Sequence, residues 1–373
     1  MPLADELVNA KAVEGLIGCL ATAAPDRDLA HLRDSGPRLT GLGLRERANL
    51  LRDALLADLP GGYWEIDAVV RLALAGEAFT GWMIWPITEA ISVSALAEGS
   101  TKAFDTALGL LADLTPRLTA EFGIRPLLDG DLDRALPTIL TWTKHSDEHV
   151  RRLASEGTRP LLPWAKRVVA IVRRPESTIP VLDELFGDPS EYVRRSVANH
   201  LNDISRNHPG LAATTAARWL AADDSAQTRR LVRHSMRTLI KKGHPEALAL
   251  LGYGSPVGIV LTGPTLSATS VAVGGRLGFS CRLRNTGAAA ASLVIDYIIH
   301  HRKANGSTTP KVFKLTTKTL DPGAELTLER SHSFRVITTR VYHAGPHVLE
   351  IQVNGESLGK AGFDLHVPQP EPR

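Results

Sequence analysis

The feature that most restricts the fold of this chain is a segment that repeats. The residues DEHVRRLA, beginning at Asp147, recur 43 positions later as SEYVRRSV, beginning at Ser190. A shorter third copy, AQTRRLV, begins at Ala226. Periods of 20 to 50 residues identify arrays of stacked supersecondary units that bury a shared core. The spacing therefore predicts a HEAT-like solenoid, in which each repeat is a pair of helices and one concave helical face is left open.

The spacing of apolar residues changes once along the chain. Up to about Tyr253 they recur at helical intervals, whereas after Gly254 they alternate, as in Leu277, Phe279 and Cys281. Alternating runs separated by Asn, Gly and Pro are typical of short strands in a β-sandwich. We therefore predict an all-α HEAT-like repeat solenoid over residues 1–253, followed by an all-β immunoglobulin-like sandwich over residues 254–373.

Cysteine usage and hydropathy limit the classes of protein to which the chain can belong. Cys19 and Cys281 fall in different predicted domains, so they form neither a disulfide framework nor a zinc site. Charged residues interrupt the apolar pattern of the first 25 positions, which argues against a signal peptide. No run approaches the roughly 18 apolar residues of a membrane span. These observations predict a cytoplasmic protein without a cofactor or a membrane partner.

The net charge of +3 conceals an uneven distribution along the chain. Residues 1–140 carry 12 Lys and Arg against 20 Asp and Glu, a balance of −8. Residues 141–242 carry 18 against 11, a balance of +7, and the remainder carries 13 against 9. A basic block beside an acidic one indicates a surface for a polyanion such as the phosphate backbone of nucleic acid.

The repeated helices combine an apolar face with a charged one. Positions i, i+3, i+4 and i+7 counted from Val150 are apolar or glycine, and an apolar face of the second copy is formed by Val193, Val197, Leu201 and Ile204, so these faces are expected to pack inward. The opposite faces are expected to form a basic ridge along one groove, with DNA phosphates as its ligand. This ridge consists of Arg152, Glu156 and Arg159, then Arg195, Asn199 and Asp203, then Arg230, His234, Arg237 and Lys241.

The two carboxylates in this ridge admit two interpretations. They could form ordinary i,i+4 pairs, Glu156 with Arg152 and Asp203 with Asn199, on a solvated helix face. Alternatively they perform chemistry, because an acid that faces DNA otherwise weakens binding. Tryptophans nearby, at Trp82, Trp85 and Trp164, could stack on bases, although tryptophans at helical spacing are more often part of a core.

Three segments are specific enough to be compared with known families: EHVRRLASEGTRP from Glu148, LPW ending at Trp164, and VRRSVANHLNDI from Val193. They resemble the AlkC family of alkylpurine DNA glycosylases, relatives of AlkD among the HEAT-like repeat glycosylases. The resemblance covers most of residues 1–250, and some members of that family also carry a C-terminal immunoglobulin-like domain.

The resemblance implies a DNA-repair enzyme that excises cationic methylated bases, notably 3-methyladenine and 3-methylcytosine, from double-stranded DNA and acts as a monomer. It places catalytic acids at Glu121, Glu156 and Asp203, and Glu121 rests on the resemblance alone. Glu121 and Glu156 are expected to stabilise the cationic sugar or base, and Asp203 to activate water. The residues expected to bind nucleic acid are Arg152, Arg159, Trp164, Lys166, Arg194, Arg195, Arg230, His234 and Arg237.

Two other functions remain open at the level of sequence. A HEAT-like scaffold that binds nucleic acid or protein without catalysis would share the fold, because a fold alone does not imply a function. The convergence of the three acids in one cleft would favour the enzyme. A metal-dependent hydrolase has little support, since no His-Glu-x-x-His element occurs. The β-domain is expected either to clamp DNA or to serve only stability or recruitment; the clamp would use Arg282, Arg284, Arg302, Lys303 and Lys311.

Overall fold

The computed structural model describes residues 4–338 and 340–367. The chain forms two compact units, residues 1–235 and residues 236–373. The described helices are α1 (Ala4–Leu7), α2 (Ala10–Ala23), α3 (Ala30–Ser35), α4 (Leu44–Asp58), α5 (Tyr63–Leu74), α6 (Ile84–Glu98), α7 (Thr101–Leu114), α8 (Arg125–Gly130), α9 (Leu132–Trp142), α10 (Glu148–Glu156), α11 (Val169–Arg173), α12 (Ile179–Leu185), α13 (Glu191–Ser205), α14 (Pro209–Ala222), α15 (Ala226–Ser235), α16 (Arg237–Lys241) and α17 (Pro245–Ala249).

The first unit is the predicted helical-repeat solenoid. The three copies of the repeated segment begin α10, α13 and α15, and α13 packs against both of the other two. Asp147 caps the first of these helices by accepting a hydrogen bond of 2.7 Å from the backbone N–H of His149. The apolar positions that were expected to face inward are buried, which confirms the inward face; they include Val150, Leu153, Ala154, Val193, Val197, Leu201 and Ile204.

The second unit is the predicted β-sandwich. Its strands are β1 (Ile259–Leu266), β2 (Ser270–Ala272), β3 (Arg276–Asn285), β4 (Ala291–Arg302), β5 (Thr308–Leu320), β6 (Glu325–Ser333), β7 (Gly345–Val353) and β8 (Glu356–His366). One sheet has the order β1-β3-β6 and the other the order β2-β8-β7-β4-β5. All pairs are antiparallel except β2 with β8. The alternating residues of β3 and β4 that face inward, among them Leu277, Phe279, Ile295 and Ile299, form the core between the sheets.

Helix gives way to strand between α17 and β1, near the predicted domain boundary at residue 253. The compact units nevertheless divide earlier, after Ser235. Leu248 and Tyr253 pack against Val294, which lies on the face of β4 that points away from the sandwich core. Residues 236–253 therefore belong to the β unit because they cover apolar surface on its sheet.

Three histidines are buried together in the β unit. His301, His332 and His347 lie close to one another, with ring centroids of His301 6.3 Å from His332 and 5.8 Å from His347. The side chain of Phe334 packs against both His301 and His332. Burial lowers the pKa of His301 to about 3 and that of His332 to about 4, and it also lowers the pKa of His347. These rings are therefore neutral in the folded chain at neutral pH.

We expect the β unit to lose stability as the pH falls below about 6.5. An unfolded histidine with a pKa near 6.5 binds a proton that the buried ring does not accept, so acid favours unfolding. For His332 this amounts to on the order of 2 kcal/mol at pH 5. Chemical denaturation of the full chain at pH 7.5 and pH 5 measures the difference. His332→Phe should reduce this dependence, whereas the control His366→Phe, at an exposed position of β8, should not. Equal stability at both pH values would contradict the prediction.

Candidate active site

Three carboxylates and two guanidinium groups form one continuous ion-pair network in the first unit. Arg152 lies 2.7 Å from Glu121 and 3.4 Å from Glu156. Arg159 lies 2.6 Å from Glu156 and 2.8 Å from Asp203. We call these five residues, in the order 121, 152, 156, 159 and 203, the carboxylate row. The structure thus brings together the three acids that were singled out in the sequence.

Each acid of the row comes from a different element. Glu156 ends α10, Asp203 lies near the end of α13, and Glu121 lies in the segment between α7 and α8. The hydroxyl of Ser196 on α13 donates a hydrogen bond of 2.6 Å to Glu156, and the hydroxyl of Thr119 lies 3.1 Å from Glu121. Polar groups from neighbouring elements therefore fix the orientation of the carboxylates before any ligand binds.

A glycine allows the segment that carries Glu121 to lie close against α6. A Cβ atom at Gly123 would come within 2.5 Å of the side chain of Thr88. The carbonyl of Gly123 also accepts a hydrogen bond of 2.5 Å from the hydroxyl of Ser92. Only glycine permits this approach, and the approach sets the depth at which Glu121 meets Arg152.

The row is largely removed from water. Glu156, Arg159 and Asp203 are only 5%, 7% and 3% exposed. Burial raises the pKa of the Asp203 carboxyl, and Arg159 acts in the opposite direction. Burial likewise raises the pKa of Glu121, against the effect of Arg152. With three carboxylates and two guanidinium groups, the ionised row carries a net charge of −1, which favours a monocation placed beside it.

A cleft of about 220 Å³ opens beside the row. Glu121, Glu156 and Arg159 line it, whereas Asp203 lies behind Arg159 and does not. The rest of its wall is mostly apolar and aromatic, being formed by Trp82, Leu118, Thr119, Phe122, Leu162, Pro163 and Trp164. Acidic groups and aromatic rings that line the same cleft are suited to a flat, positively charged ligand.

Trp164 is held in an unusual conformation at this cleft. Its side chain is 53% exposed, and its backbone φ of +63° lies in the left-handed region that side chains other than glycine rarely adopt. Such strain costs on the order of 1–3 kcal/mol and persists only where the surroundings impose it. Arg45 donates a hydrogen bond of 3.2 Å to the carbonyl of Trp164, and Arg125 donates to the carbonyls of Gly157, Arg159 and Lys166. The two arginines therefore brace the loop that presents the indole ring.

The other two tryptophans differ in their surroundings. Trp85 is 2% exposed, stacks on Phe122 with ring centroids 4.7 Å apart, and donates a hydrogen bond to Glu89. It is therefore a core residue, as tryptophans at helical spacing usually are. Trp82 is half-buried and lines the cleft.

The expectation of an exposed basic ridge is wrong for the first helix of the repeat. Arg152 and Arg159 form ion pairs with carboxylates instead of facing solvent. The guanidinium of Arg152 also lies 4.9 Å from the ring of Tyr192. The expected i,i+4 pair of Glu156 with Arg152 is present, whereas Asp203 pairs with Arg159. The reason is that α13 and the loop after α10 cover the side of α10 that a single helix leaves open. The assignment of Arg152 and Arg159 to nucleic-acid binding stays a prediction.

Four other residues that were expected to bind nucleic acid lie on α13 and α15. There a groove of about 380 Å³ is lined by Arg194, Arg195, Arg230 and His234, together with Glu191. Arg195 is exposed and lies 3.2 Å from Glu191, while Arg194 also donates to the carbonyls of Asp188 and Pro189. Arg237 begins α16, in the second unit. In that unit Arg282 and Arg284 lie 3.7 and 3.9 Å from Glu325.

Sequence reasoning missed four residues that shape the site. Arg45 and Arg125 precede the repeats and carry no local signal. Ser196 occupies the position at which the first copy has Leu153, so a polar residue at an inward position was a usable signal. Tyr192 likewise aligns with His149, and the two rings meet edge to face at 5.6 Å. Equivalent positions of adjacent repeats therefore contact each other in the solenoid.

The histidine of the second repeat copy is used in hydrogen bonds inside the first unit. His200 is completely buried and makes hydrogen bonds to Thr178 and to the carbonyl of Ser155. Over residues 4–338 and 340–367 no group of three or more His, Cys, Asp and Glu side chains is arranged to hold a metal ion. Over the same ranges, every helix is too short or too polar to cross a bilayer.

Comparisons with known proteins relate the whole chain to two others. It is 34% identical over 365 residues to the uncharacterised protein YhaZ of Bacillus subtilis (strain 168), across 96% of this chain and 98% of YhaZ. The sequence model for the C-terminal Ig-like domain of YhaZ matches residues 260–367. The solved structure of the alkylpurine DNA glycosylase AlkC of Pseudomonas fluorescens, bound to DNA containing an abasic-site analogue, superimposes with a TM-score of 0.85 at 32% identity, covering 98% of this chain and all of that chain.

Proposed function

This chain belongs to the family of AlkC and YhaZ, and on that premise we propose that it is a DNA glycosylase that hydrolyses the N-glycosidic bond of cationic alkylated bases. AlkC, its relative over the full length, is an alkylpurine DNA glycosylase and was solved on DNA with an abasic-site analogue. An abasic site is the product that such an enzyme leaves in DNA. The proposed enzyme is monofunctional and leaves the strand uncut.

The observation that carries the proposal is the net charge of −1 on a buried row of side chains beside an aromatic cleft. A base alkylated at N3, such as 3-methyladenine or 3-methylcytosine, carries one positive charge. Neutral bases gain little from such a site, so the row would select the damaged base by its charge. The scaffold alternative provides no reason for two acids to line one aromatic cleft while a third joins them through Arg159.

The chemistry follows from the charge of the leaving group. When the bond from C1′ to the base nitrogen breaks, its electron pair goes to the base, which leaves neutral, and the positive charge moves to the sugar. Glu121 and Glu156 line the cleft and would stabilise that charge, since preorganised electrostatics is usually the largest catalytic contribution. A water then adds at C1′ and releases one proton, giving the abasic sugar.

Asp203 is our candidate for the acceptor of that proton. In the structure its carboxylate reaches the cleft only through Arg159, 2.8 Å away. The assignment therefore requires Arg159 to release Asp203 when DNA binds, and catalytic hydrogen bonds often form fully only in the complex. The raised pKa of Asp203 is suited to this role, because it makes the carboxylate a stronger base than an exposed aspartate.

Trp164 and the groove between α13 and α15 supply the proposed contacts to DNA. The exposed indole would face the cationic base or the sugar, with an attraction of about 0.5–2 kcal/mol. Arg194, Arg195, Arg230 and His234 would hold phosphates of double-stranded DNA. We further propose that the protein acts as a monomer in the bacterial cytoplasm, on the nucleoid.

Release of methylated bases from alkylated DNA tests the proposal directly. Wild-type protein should release 3-methyladenine, 3-methylcytosine or both, detected by chromatography, and should leave the DNA strand intact. Glu184→Gln, at an exposed position paired with Lys144, is a matched acid-to-amide control and should act as the wild type does. No release of any methylated base, with the duplex still bound, would favour the non-catalytic scaffold.

A further inference from the structure

A second cleft, of about 560 Å³, adjoins the loop that carries Trp164. It shares Phe122 with the first cleft, and Lys166 and Arg167 of the same loop line it. Its net charge is opposite in sign to that of the carboxylate row. The cationic groups that line it are Arg45, Arg52, Arg125, Lys166 and Arg167, against the carboxylates Glu89 and Asp129. The cleft therefore has three positive charges in excess.

The guanidinium of Arg125 makes no close ion pair in the described part of the chain, and Asp129 and Glu121 compensate its charge only from a distance. This residue is 4% exposed, and the hydrogen bonds of its guanidinium go to the carbonyls of Gly157, Arg159 and Lys166. None of the ion pairs within 4 Å includes it, and its Nη2 has no hydrogen-bond partner. Burial, with a further contribution from Arg159, lowers its pKa to about 10. A buried cation without a close ion pair is unfavourable, so an anion in the adjoining cleft would be stabilised.

The rim of the cleft supplies groups that an anion can reach. Lys166 and Arg167 are exposed and make no ion pair with any described residue. On the opposite wall Arg45 lies 3.0 Å from Glu89, and Arg52 lies 2.7 Å from Asp53. Guanidinium and ammonium groups on two walls above a buried cation form an arrangement suited to a phosphate group.

We propose that this cleft binds a phosphodiester group of the DNA strand that carries the damaged base, next to the lesion. The inference rests on the proposed function and goes beyond it. A nucleotide placed at the carboxylate row brings its flanking phosphates close to three acids, which repel them. A basic cleft that shares Phe122 and the Trp164 loop with the first cleft offsets that repulsion and fixes the register of the strand. Arg125 thus has two tasks: it braces the loop and provides the positive potential of the cleft.

The salt dependence of DNA affinity measures this interaction. In the variant Lys166→Gln/Arg167→Gln both exposed cations are neutralised without a change in the fold. The probe is a duplex with an abasic-site analogue, titrated in a salt series. The slope of log K against log salt concentration should decrease in magnitude by about 0.9 for each phosphate that the variant no longer neutralises. Arg134→Gln/Arg218→Gln is the matched control, because it removes two arginines that line neither cleft.

Arg52→Gln, on the opposite wall, provides an independent test and should reduce the slope in the same direction. Slopes equal to wild type in both variants would overturn the phosphate site, as would an equal change in the control. The binding assay does not depend on catalysis. If the variants have a reduced slope but the wild type releases no base, the phosphate site is supported and the proposed function is rejected. If the wild type releases base but the slopes of the variants are unchanged, the proposed function is supported and the phosphate site is rejected.

Discussion

Replacing Glu156 by glutamine is expected to lower the single-turnover rate of base release by about 10²–10³-fold, the range typical of removing one preorganised electrostatic group. Glu156 is the central member of the carboxylate row and bonds both Arg152 and Arg159. The amide keeps nearly the same shape but changes the net charge of the row from −1 to 0. The attraction for a cationic base or sugar then disappears, while the groups that hold phosphates are untouched.

The Glu156→Gln experiment compares excision of a methylated base with affinity for a duplex containing an abasic-site analogue. Affinity should change little, since the variant removes no cation. The hydroxyl of Ser196 donates a hydrogen bond of 2.6 Å to Glu156, and the carbonyl oxygen of the amide can accept the same bond, so the fold should persist. A variant that folds and binds DNA but retains the wild-type excision rate would show that the charge of the row is not used in catalysis.

Replacing Asp203 by asparagine is expected to lower the excision rate by about 10²-fold or more, within the range of general acid-base catalysis. In the wild type the rate should rise with pH as Asp203 loses its proton. An ordinary aspartate has a pKa of about 3.9. Because burial raises the pKa of Asp203, the rate should rise at a higher pH than that. The asparagine variant should lack this acidic limb, because it has no group to titrate there.

The pH profile of the excision rate distinguishes two roles for Asp203, that of a general base and that of a residue that only positions Arg159. If Asp203 merely positions Arg159, the rate falls in the variant but the acidic limb remains. Asp188→Asn is the matched control: Asp188 is buried and lies 2.7 Å from Arg151, outside the carboxylate row. That variant should lose thermal stability but keep both the excision rate and its pH profile. Full excision by Asp203→Asn would contradict any direct role of Asp203.

Much of the fold could be predicted because the relevant signals are local. The 43-residue repeat fixes which residues begin α10 and α13, and the intervals around Val150 and Val193 fix the faces that pack inward. Alternation around Phe279 and Ile295 identified the strands in the same way. Periodicity works here because a helix or a strand must bury its apolar side whatever its neighbours are.

The site could be predicted only in part. Glu156 and Asp203 stood out as acids within basic helices, whereas Glu121 lies in a connecting segment and rested on family resemblance alone. Arg125, which braces the loop of Trp164, had no pattern to mark it. Its partners are the backbone carbonyls of residues 157, 159 and 166, and a hydrogen bond to a carbonyl places no requirement on the identity of the partner residue.

The sequence by itself determined the two folds, their order along the chain and which helices repeat. Only the tertiary structure decided that Arg152 and Arg159 join three carboxylates instead of facing solvent, and that residues 236–253 belong with the strands. The physical reason is the range of the interactions. Burial of an apolar stripe depends on the spacing within one element, whereas the surroundings of a charge depend on elements 30 or more residues away, as Glu121 and Arg152 are.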